Sequence, residues 1–190
     1  MLRSQGSWTT WKSRSSMPRD KKWRRATLGL GGNIGDPRRA MADALRELDD
    51  RPDCRVAAVS RLYRTPPWGK TDQDWFFNAC AAVETTRDPE ALLETCLEIE
   101  RVMKRVRKER WGPRTIDIDL LTFEGASLAS DKLQLPHPRM TERGFVLMPL
   151  ADFAAELEVA GRTVGEWLAD ADVTGIEVAD EKADWWRAYN

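Results

Sequence analysis

Strand-like and helix-like spacings of apolar residues take turns along this chain. Ala26-Thr27-Leu28-Gly29-Leu30 reads as a short strand that ends in Gly31-Gly32-Asn33. Asp36-Pro37 then supplies an N-cap residue and a first-turn proline. Ala40, Met41, Ala44, Leu45 and Leu48 follow at helical spacing and predict an amphipathic helix over 37–49. Strands are predicted over 55–63 and 76–85, separated by a loop at 65–74 that holds two prolines and a glycine. Asp88-Pro89 repeats the cap-and-proline device and opens a long apolar-striped helix over 89–106. A charged loop, a strand near 115–123, a hairpin or turn region at 124–138, and helices over 146–155 and 164–169 complete the pattern.

Both element types must bury one face on the other, so the pattern predicts an α/β sandwich. Nothing inside 26–170 repeats or reads as a linker, and 171–190 is a C-terminal extension packed on or trailing that domain. No apolar run approaches the ~20 residues that span a bilayer.

Composition changes this picture at one end. The 190 residues carry a net charge of -1, which makes the whole chain no magnet for nucleic acid or anionic membrane. Residues 1–25, however, hold eight basic groups and one acid, Asp20. They are rich in Ser, Arg and Lys and poor in aliphatic side chains, so they read as a disordered basic arm ahead of an acidic body. The arm resembles an organelle transit peptide; the alternative is a translation start placed too early, with Met17 or a nearby codon the true one. The expected location is the cytoplasm, with organelle import through the arm as the other option. Cys54, Cys80 and Cys96 show no CxxC spacing, which argues against a disulfide framework or a zinc ribbon. A single histidine, His137, excludes multi-histidine metal sites within one chain.

The chemistry concentrates between Arg105 and Asp119. In Thr115-Ile116-Asp117-Ile118-Asp119-Leu120, acids and aliphatics alternate, so a strand places Asp117 and Asp119 on one face. Two adjacent carboxylates repel unless a cation lies between them. Hard oxygen donors on a rigid strand suit Mg²⁺, which fills its other positions with water and phosphate. Arg105, Arg107, Lys108, Arg110 and Arg114 stand just before these acids, and guanidinium forks match phosphate oxygens. Together they form the parts of a metal–triphosphate site. The bland alternatives are a solvated edge-strand face and a self-neutralising surface patch. No Walker A motif is present, and Gly29-Leu30-Gly31-Gly32-Asn33-Ile34 lacks the third glycine of a dinucleotide fingerprint. His137, between Pro136 and Pro138 and near Arg139 and Arg143, is placed for a phosphate contact.

Six collinear motifs over about 26–170 resemble the 6-hydroxymethyl-7,8-dihydropterin pyrophosphokinase family of folate biosynthesis. They are Gly31-Gly32-Asn33-Ile34-Gly35-Asp36, the Ser60–Gly69 stretch with Thr65-Pro66-Pro67-Trp68, Gln73 with Phe76-Phe77-Asn78, Arg110–Asp119, Leu135–Arg139, and Arg143-Gly144-Phe145-Val146-Leu147. The resemblance implies an α+β fold, a ferredoxin-like α/β sandwich with helices packed on a mainly antiparallel mixed sheet, and transfer of the β,γ-diphosphate of ATP to the pterin hydroxymethyl group, leaving AMP. It implies that Asp117 and Asp119 hold two Mg²⁺ ions and that Arg105 and Arg114 stabilise the transferring group. By the same resemblance Glu100, Arg107, Arg110, Trp111, His137 and Arg143 bind or close over ATP. Thr65, Pro66, Pro67, Trp68, Asn78 and Phe145 form the pterin pocket. A flat heterocycle with an amide-like edge suits aromatic faces and a placed carboxamide.

The chain departs from the family pattern at Gly32, at Phe76, at Lys132 and Gln134, and in a one-residue spacing at Glu109 between Lys108 and Arg110. The small-molecule partners expected are ATP and a hydroxymethyl dihydropterin, acting on a monomer or weak dimer, with no membrane and no nucleic acid for the folded body. Two other readings compete. One is a paralogue acting on a different pterin. The other is a ferredoxin-like RNA-binding module assisted by Trp8, Trp11 and Trp23, although no RNP1-like aromatic segment is present.

Overall fold

The computed structural model describes residues 22–67, 74–103 and 115–189. Strand β1 (Arg24–Gly32) leads to helix α1 (Pro37–Asp49), strands β2 (Cys54–Val59), β3 (Leu62–Thr65) and β4 (Phe76–Thr85), and helix α2 (Pro89–Val102). After strand β5 (Asp117–Phe123) come the hairpin β6 (Leu128–Ala129) and β7 (Gln134–Leu135), helix α3 (Gly144–Ala154), the hairpin β8 (Glu158–Val159) and β9 (Arg162–Thr163), helix α4 (Val164–Asp170) and strand β10 (Glu177–Asp180).

The two Asp-Pro signals start both long helices. Asp36 accepts the Arg39 N–H and Asp88 accepts the Ala91 N–H, each with proline in the first turn. Helix α2 stops at Val102 with Met103 as its cap, and the 104–106 part of the predicted span lies outside the described residues.

The main sheet runs β10-β3-β4-β1-β5, with β2 also pairing β4, and every one of these pairs is antiparallel. The single strand predicted over 55–63 is two strands. The break falls at Ser60 and Arg61, where the Arg61 N–H donates to the Asp152 carboxylate at 2.9 Å instead of to a neighbouring strand. Tyr63 Oη donates to the same carboxylate at 2.8 Å, which ties β3 to α3.

Helices cover both faces. Leu28, Leu30, Ile118 and Leu120 point to α1 and α2, with Leu45, Leu48, Leu92 and Ile99 opposite them in one buried cluster. Cys80 and Leu121 point to the other face and pack with Leu147, Leu150 and Val164 of α3 and α4. An open sheet face of the kind an RNA-recognition fold stacks bases on is therefore not available in the described part.

Order extends beyond the boundaries read from the sequence. Strand β1 begins at Arg24 rather than Ala26, and Arg55 lies 4.5 Å over the Trp23 ring. At the other end β10 adds an edge strand to β3, and Trp185 and Trp186 are buried in the α1–α2 core. No helix among the described residues is long and apolar enough to cross a membrane.

Candidate active site

Sheet register assembles the site. Gly31 pairs with Asn78 of β4 on one side and with Asp117 of β5 on the other. Directly opposed residues of antiparallel strands share a face, so Asn78 and Asp117 flank Gly31 on the α3 side, about 10 Å apart by strand spacing. A Cβ at position 31 would lie 3.4 Å from Asn78 Oδ1. The missing side chain leaves a shallow track between an amide and a carboxylate.

Asn78 is held from β3. Its Nδ2 donates to Thr65 Oγ1 at 3.0 Å, and both residues are buried. That bond orients the carboxamide with Oδ1 toward Gly31. Pro66 and Pro67 continue the wall, while Trp68 and Gln73 lie outside the described residues. The Gly31–Asp36 turn is fastened to the start of β4 by Asn33, whose Nδ2 donates to the Asp74 carbonyl at 3.2 Å.

On β5, Asp117 is buried and the Asp119 side chain is 40% exposed, on the same face two residues apart as the alternation requires. Asp119 faces Arg143, whose Nη1 lies 3.8 Å from Oδ2. Partial burial draws Arg143 below its usual pKa, and Asp119 pulls it back up; the guanidinium stays charged at neutral pH. Arg143 also lies 5.7 Å from the Phe145 ring centroid, and that ring is 37% exposed at the start of α3. The ring lies outside the core cluster of α3, and an exposed aromatic face of this kind is a surface on which a flat group can stack.

The outer edge of β5 is finished by side chains. Glu100 of α2 is buried, and its Oε1 accepts the Ile118 N–H at 2.7 Å. An edge strand presents such N–H groups outward, so Glu100 replaces the missing neighbour. A bulge puts Leu121 as the extra residue between the Thr27–Thr122 and Leu28–Leu120 pairs. Its carbonyl turns outward and accepts the His137 N–H at 2.8 Å. His137 follows a cis Leu135-Pro136 bond. Its Nδ1 accepts the Arg139 N–H at 3.2 Å, which assigns the ring proton to Nε2 and makes the outer edge a donor. Burial lowers the His137 pKa, Asp119 opposes that, and Arg143 and Arg139 reinforce it.

Glu100, Asp117, Asp119 and His137 line one cleft of about 300 Å³. Leu93 and Leu97 form an apolar wall, and Lys132 and Gln134 form the rim. Helical spacing alone does not identify Leu93 and Leu97 as cleft residues, because two leucines four apart look the same whether they face a core or a cleft. Among the described residues no three His, Cys, Asp or Glu side chains are placed to hold a metal ion together. Two carboxylates alone suit a hard cation that keeps water or phosphate as its other ligands, which fits Mg²⁺ better than zinc. Arg105, Arg107, Arg110, Trp111 and Arg114, and the short spacing at Glu109, lie outside the described residues.

A profile of the 7,8-dihydro-6-hydroxymethylpterin-pyrophosphokinase family matches residues 27–155. The chain belongs to that family. A 2-amino-4-hydroxy-6-hydroxymethyldihydropteridine pyrophosphokinase of Methylorubrum extorquens is 54% identical over 153 residues, covering 80% of this chain and 97% of that one. The Pseudomonas aeruginosa protein of the same name is 42% identical over 154 residues, covering 80% and 95%. Among solved structures, wild-type Plasmodium falciparum HPPK-DHPS matches with a TM-score of 0.62 and 18% identity, over 80% of this chain. The chain spans 45% of that longer protein, and the likeness is one of fold.

Proposed function

We propose that this member of the pyrophosphokinase family transfers the β,γ-diphosphate of ATP to the hydroxymethyl group of 6-hydroxymethyl-7,8-dihydropterin, giving the pterin diphosphate and AMP. The Asn78–Gly31–Asp117 row supports this most directly. In that row a buried carboxamide suited to a heterocycle and a carboxylate suited to a metal–phosphate share one face, with no side chain at Gly31 between them.

In this reading the pterin lies between Asn78 and Phe145, walled by Thr65, Pro66, Pro67 and Trp68. Asn78 reads its amide-like edge through one donor and one acceptor. Asp117 and Asp119 would hold two Mg²⁺ ions, which would neutralise phosphate charge there. His137 Nε2–H, Arg143, Arg107, Arg110 and Trp111 bind the nucleotide. Glu100, whose Oε1 accepts the Ile118 N–H, lines the nucleotide cleft with His137. Arg105 and Arg114 stabilise charge on the transferring group. The pterin hydroxyl oxygen bonds to the β-phosphorus, the bond from that phosphorus to the oxygen of the α-phosphate breaks, AMP leaves with that oxygen, and the hydroxyl proton is released.

Both sheet faces are helix-covered, so nothing in the fold favours the RNA-binding alternative. The deciding experiment follows AMP release from ATP on adding 6-hydroxymethyl-7,8-dihydropterin and Mg²⁺. Stoichiometric AMP, absent without the pterin and lost on chelation, is expected. Folded protein that releases none overturns the proposal, and equal turnover of a differently substituted pterin assigns the chain to the paralogue reading.

A further inference from the structure

The segment after α4 runs from the Arg143–Phe145 corner to the Thr65–Pro67 stretch, the two sides assigned above to the acceptor. At one wall Gly144 stands between Arg143 and Phe145. A Cβ there would lie 2.2 Å from the Asp172 carbonyl oxygen and 3.2 Å from Val173 Cγ1. Main chain therefore rests on main chain, at a distance that no other residue at 144 permits. At the opposite wall, a Cβ on Gly175 would lie 3.1 Å and 3.3 Å from Cγ and Cδ of Pro66. Pro66 stands between Thr65, which holds the Asn78 carboxamide, and Pro67.

The segment is stiff and fastened at both ends. The Asp172 carboxylate accepts the Thr174 N–H at 2.9 Å, and the Ile176 N–H closes a turn on the Val173 carbonyl at 3.1 Å. Gly175 supplies the positive φ of 76° that this turn needs. Before it, the Ala171 N–H caps α4 on the Leu168 carbonyl. After it, Glu177 pairs with Arg64 in the β10–β3 ladder, with Arg64 Nε 2.8 Å from its carboxylate.

We propose that residues 172–175 are a positioning strap, which sets the separation between the Arg143–Phe145 corner and the Thr65–Pro67 wall and thereby the fit of the acceptor heterocycle. This rests on the pterin-pocket reading above. The strap brings no charged or nucleophilic group to the reaction. It acts through shape, because both contacts are made by residues with no soft side chain to yield. A few tenths of an ångström at Gly144 shifts Arg143 and Phe145 together, and misplacement on the ångström scale costs about 10²-fold in rate in well-ordered sites.

The test uses full-length protein and AMP release, with pterin and ATP varied separately and thermal melting run beside it. Gly175→Asn keeps the positive φ accessible but adds bulk against Pro66. It is expected to raise the pterin KM about tenfold and leave the ATP KM within about twofold, with little change in melting. Gly144→Ala, next to Arg143, is expected to raise both KM values. Val164→Ala, in the core away from the site, lowers the melting temperature and moves neither KM, which separates positioning from general stability. Asn78→Ala is the control for the pocket itself.

A folded Gly175→Asn with an unchanged pterin KM, while Asn78→Ala raises it, overturns the strap and leaves the pocket standing. An unchanged KM in both overturns the pocket and the strap with it. If Gly144→Ala does not fold, Gly175→Asn decides alone.

Discussion

Asn78 and Asp117 sit in one row of the sheet, on the same face, with only the hydrogen of Gly31 between them. A strand interior gains nothing from glycine, so the vacancy marks the path of something else. Gly31→Val adds branched bulk where a bare Cβ already lies 3.4 Å from Asn78 Oδ1. Overpacking of this kind costs about 1–3 kcal/mol, so the protein should still fold. Its kcat/KM for AMP release should fall by about 10²-fold. Turnover near the wild-type rate would show that the substrates do not meet along this row.

Asp119 pairs with Arg143 at 3.8 Å in a partly exposed setting. Such a pair contributes about 0–1 kcal/mol. Asp119→Asn should therefore melt close to the wild-type temperature while AMP release falls by about 10²–10³-fold, the usual effect of removing one preorganised charge contact. Raising the Mg²⁺ concentration should recover part of the loss. A variant with normal rate and normal Mg²⁺ dependence would remove Asp119 from the metal site.

Glu100 separates two roles that a single substitution would confuse. Its buried carboxylate accepts the Ile118 N–H at 2.7 Å. Glu100→Gln keeps a carbonyl oxygen for that bond, whereas Glu100→Ala leaves a buried donor unsatisfied at a cost of about 1–3 kcal/mol. Denaturant titration should rank stability wild type, then Gln, then Ala. If Ala equals Gln, the backbone bond is not what Glu100 contributes.

What the sequence made readable was local. Asp36-Pro37 and Asp88-Pro89 carry their cap and first turn within four residues, and both helices start there. The Asp117–Asp119 alternation carries its own face assignment. The break at Ser60 and Arg61 was not readable, because the group that captures the Arg61 N–H is Asp152, 91 positions away. Nor was β10, four residues of mixed polarity whose strand character comes from pairing with β3. The family resemblance puts Glu100 at the nucleotide, but its bond to Ile118 depends on the packing of α2 on β5. Long-range register decided those cases, and one sequence does not display register.

His137 is the chain's one histidine, so it dominates titration between pH 5.5 and 7.5. Its folded pKa lies below the ordinary 6.5 because burial and the two arginines disfavour the cation. Over that window the unfolded chain binds more protons than the folded one, so stability rises with pH and levels off above 6.5. The wild-type melting temperature should thus drop between pH 7.5 and pH 5.5. His137→Asn should lose most of that drop. An equal drop in both proteins would place the pH sensitivity elsewhere.

Trp185 tests whether the last residues belong to the fold. Its ring is buried beside Trp186, and Nε1 donates to the Ser60 carbonyl at 3.0 Å, at the break between β2 and β3. The segment it anchors carries β10, the Arg38–Asp180 ion pair at 2.6 Å and the Arg61–Glu181 pair at 3.2 Å. Large-to-small truncation of a buried tryptophan costs about 3–5 kcal/mol. Trp185→Phe loses mainly the hydrogen bond, about 1 kcal/mol. Chemical denaturation should therefore show Trp185→Ala as strongly destabilised, Trp185→Phe as mildly so, and Arg187→Ala, on the exposed side of the same turn, as near wild type. If Trp185→Ala unfolds at the wild-type midpoint, the chain after α4 is an appendage. If it falls as expected, the edge strand and the segment that leads into it are structural parts of the enzyme, and loss of activity in the variant should follow the loss of folded protein.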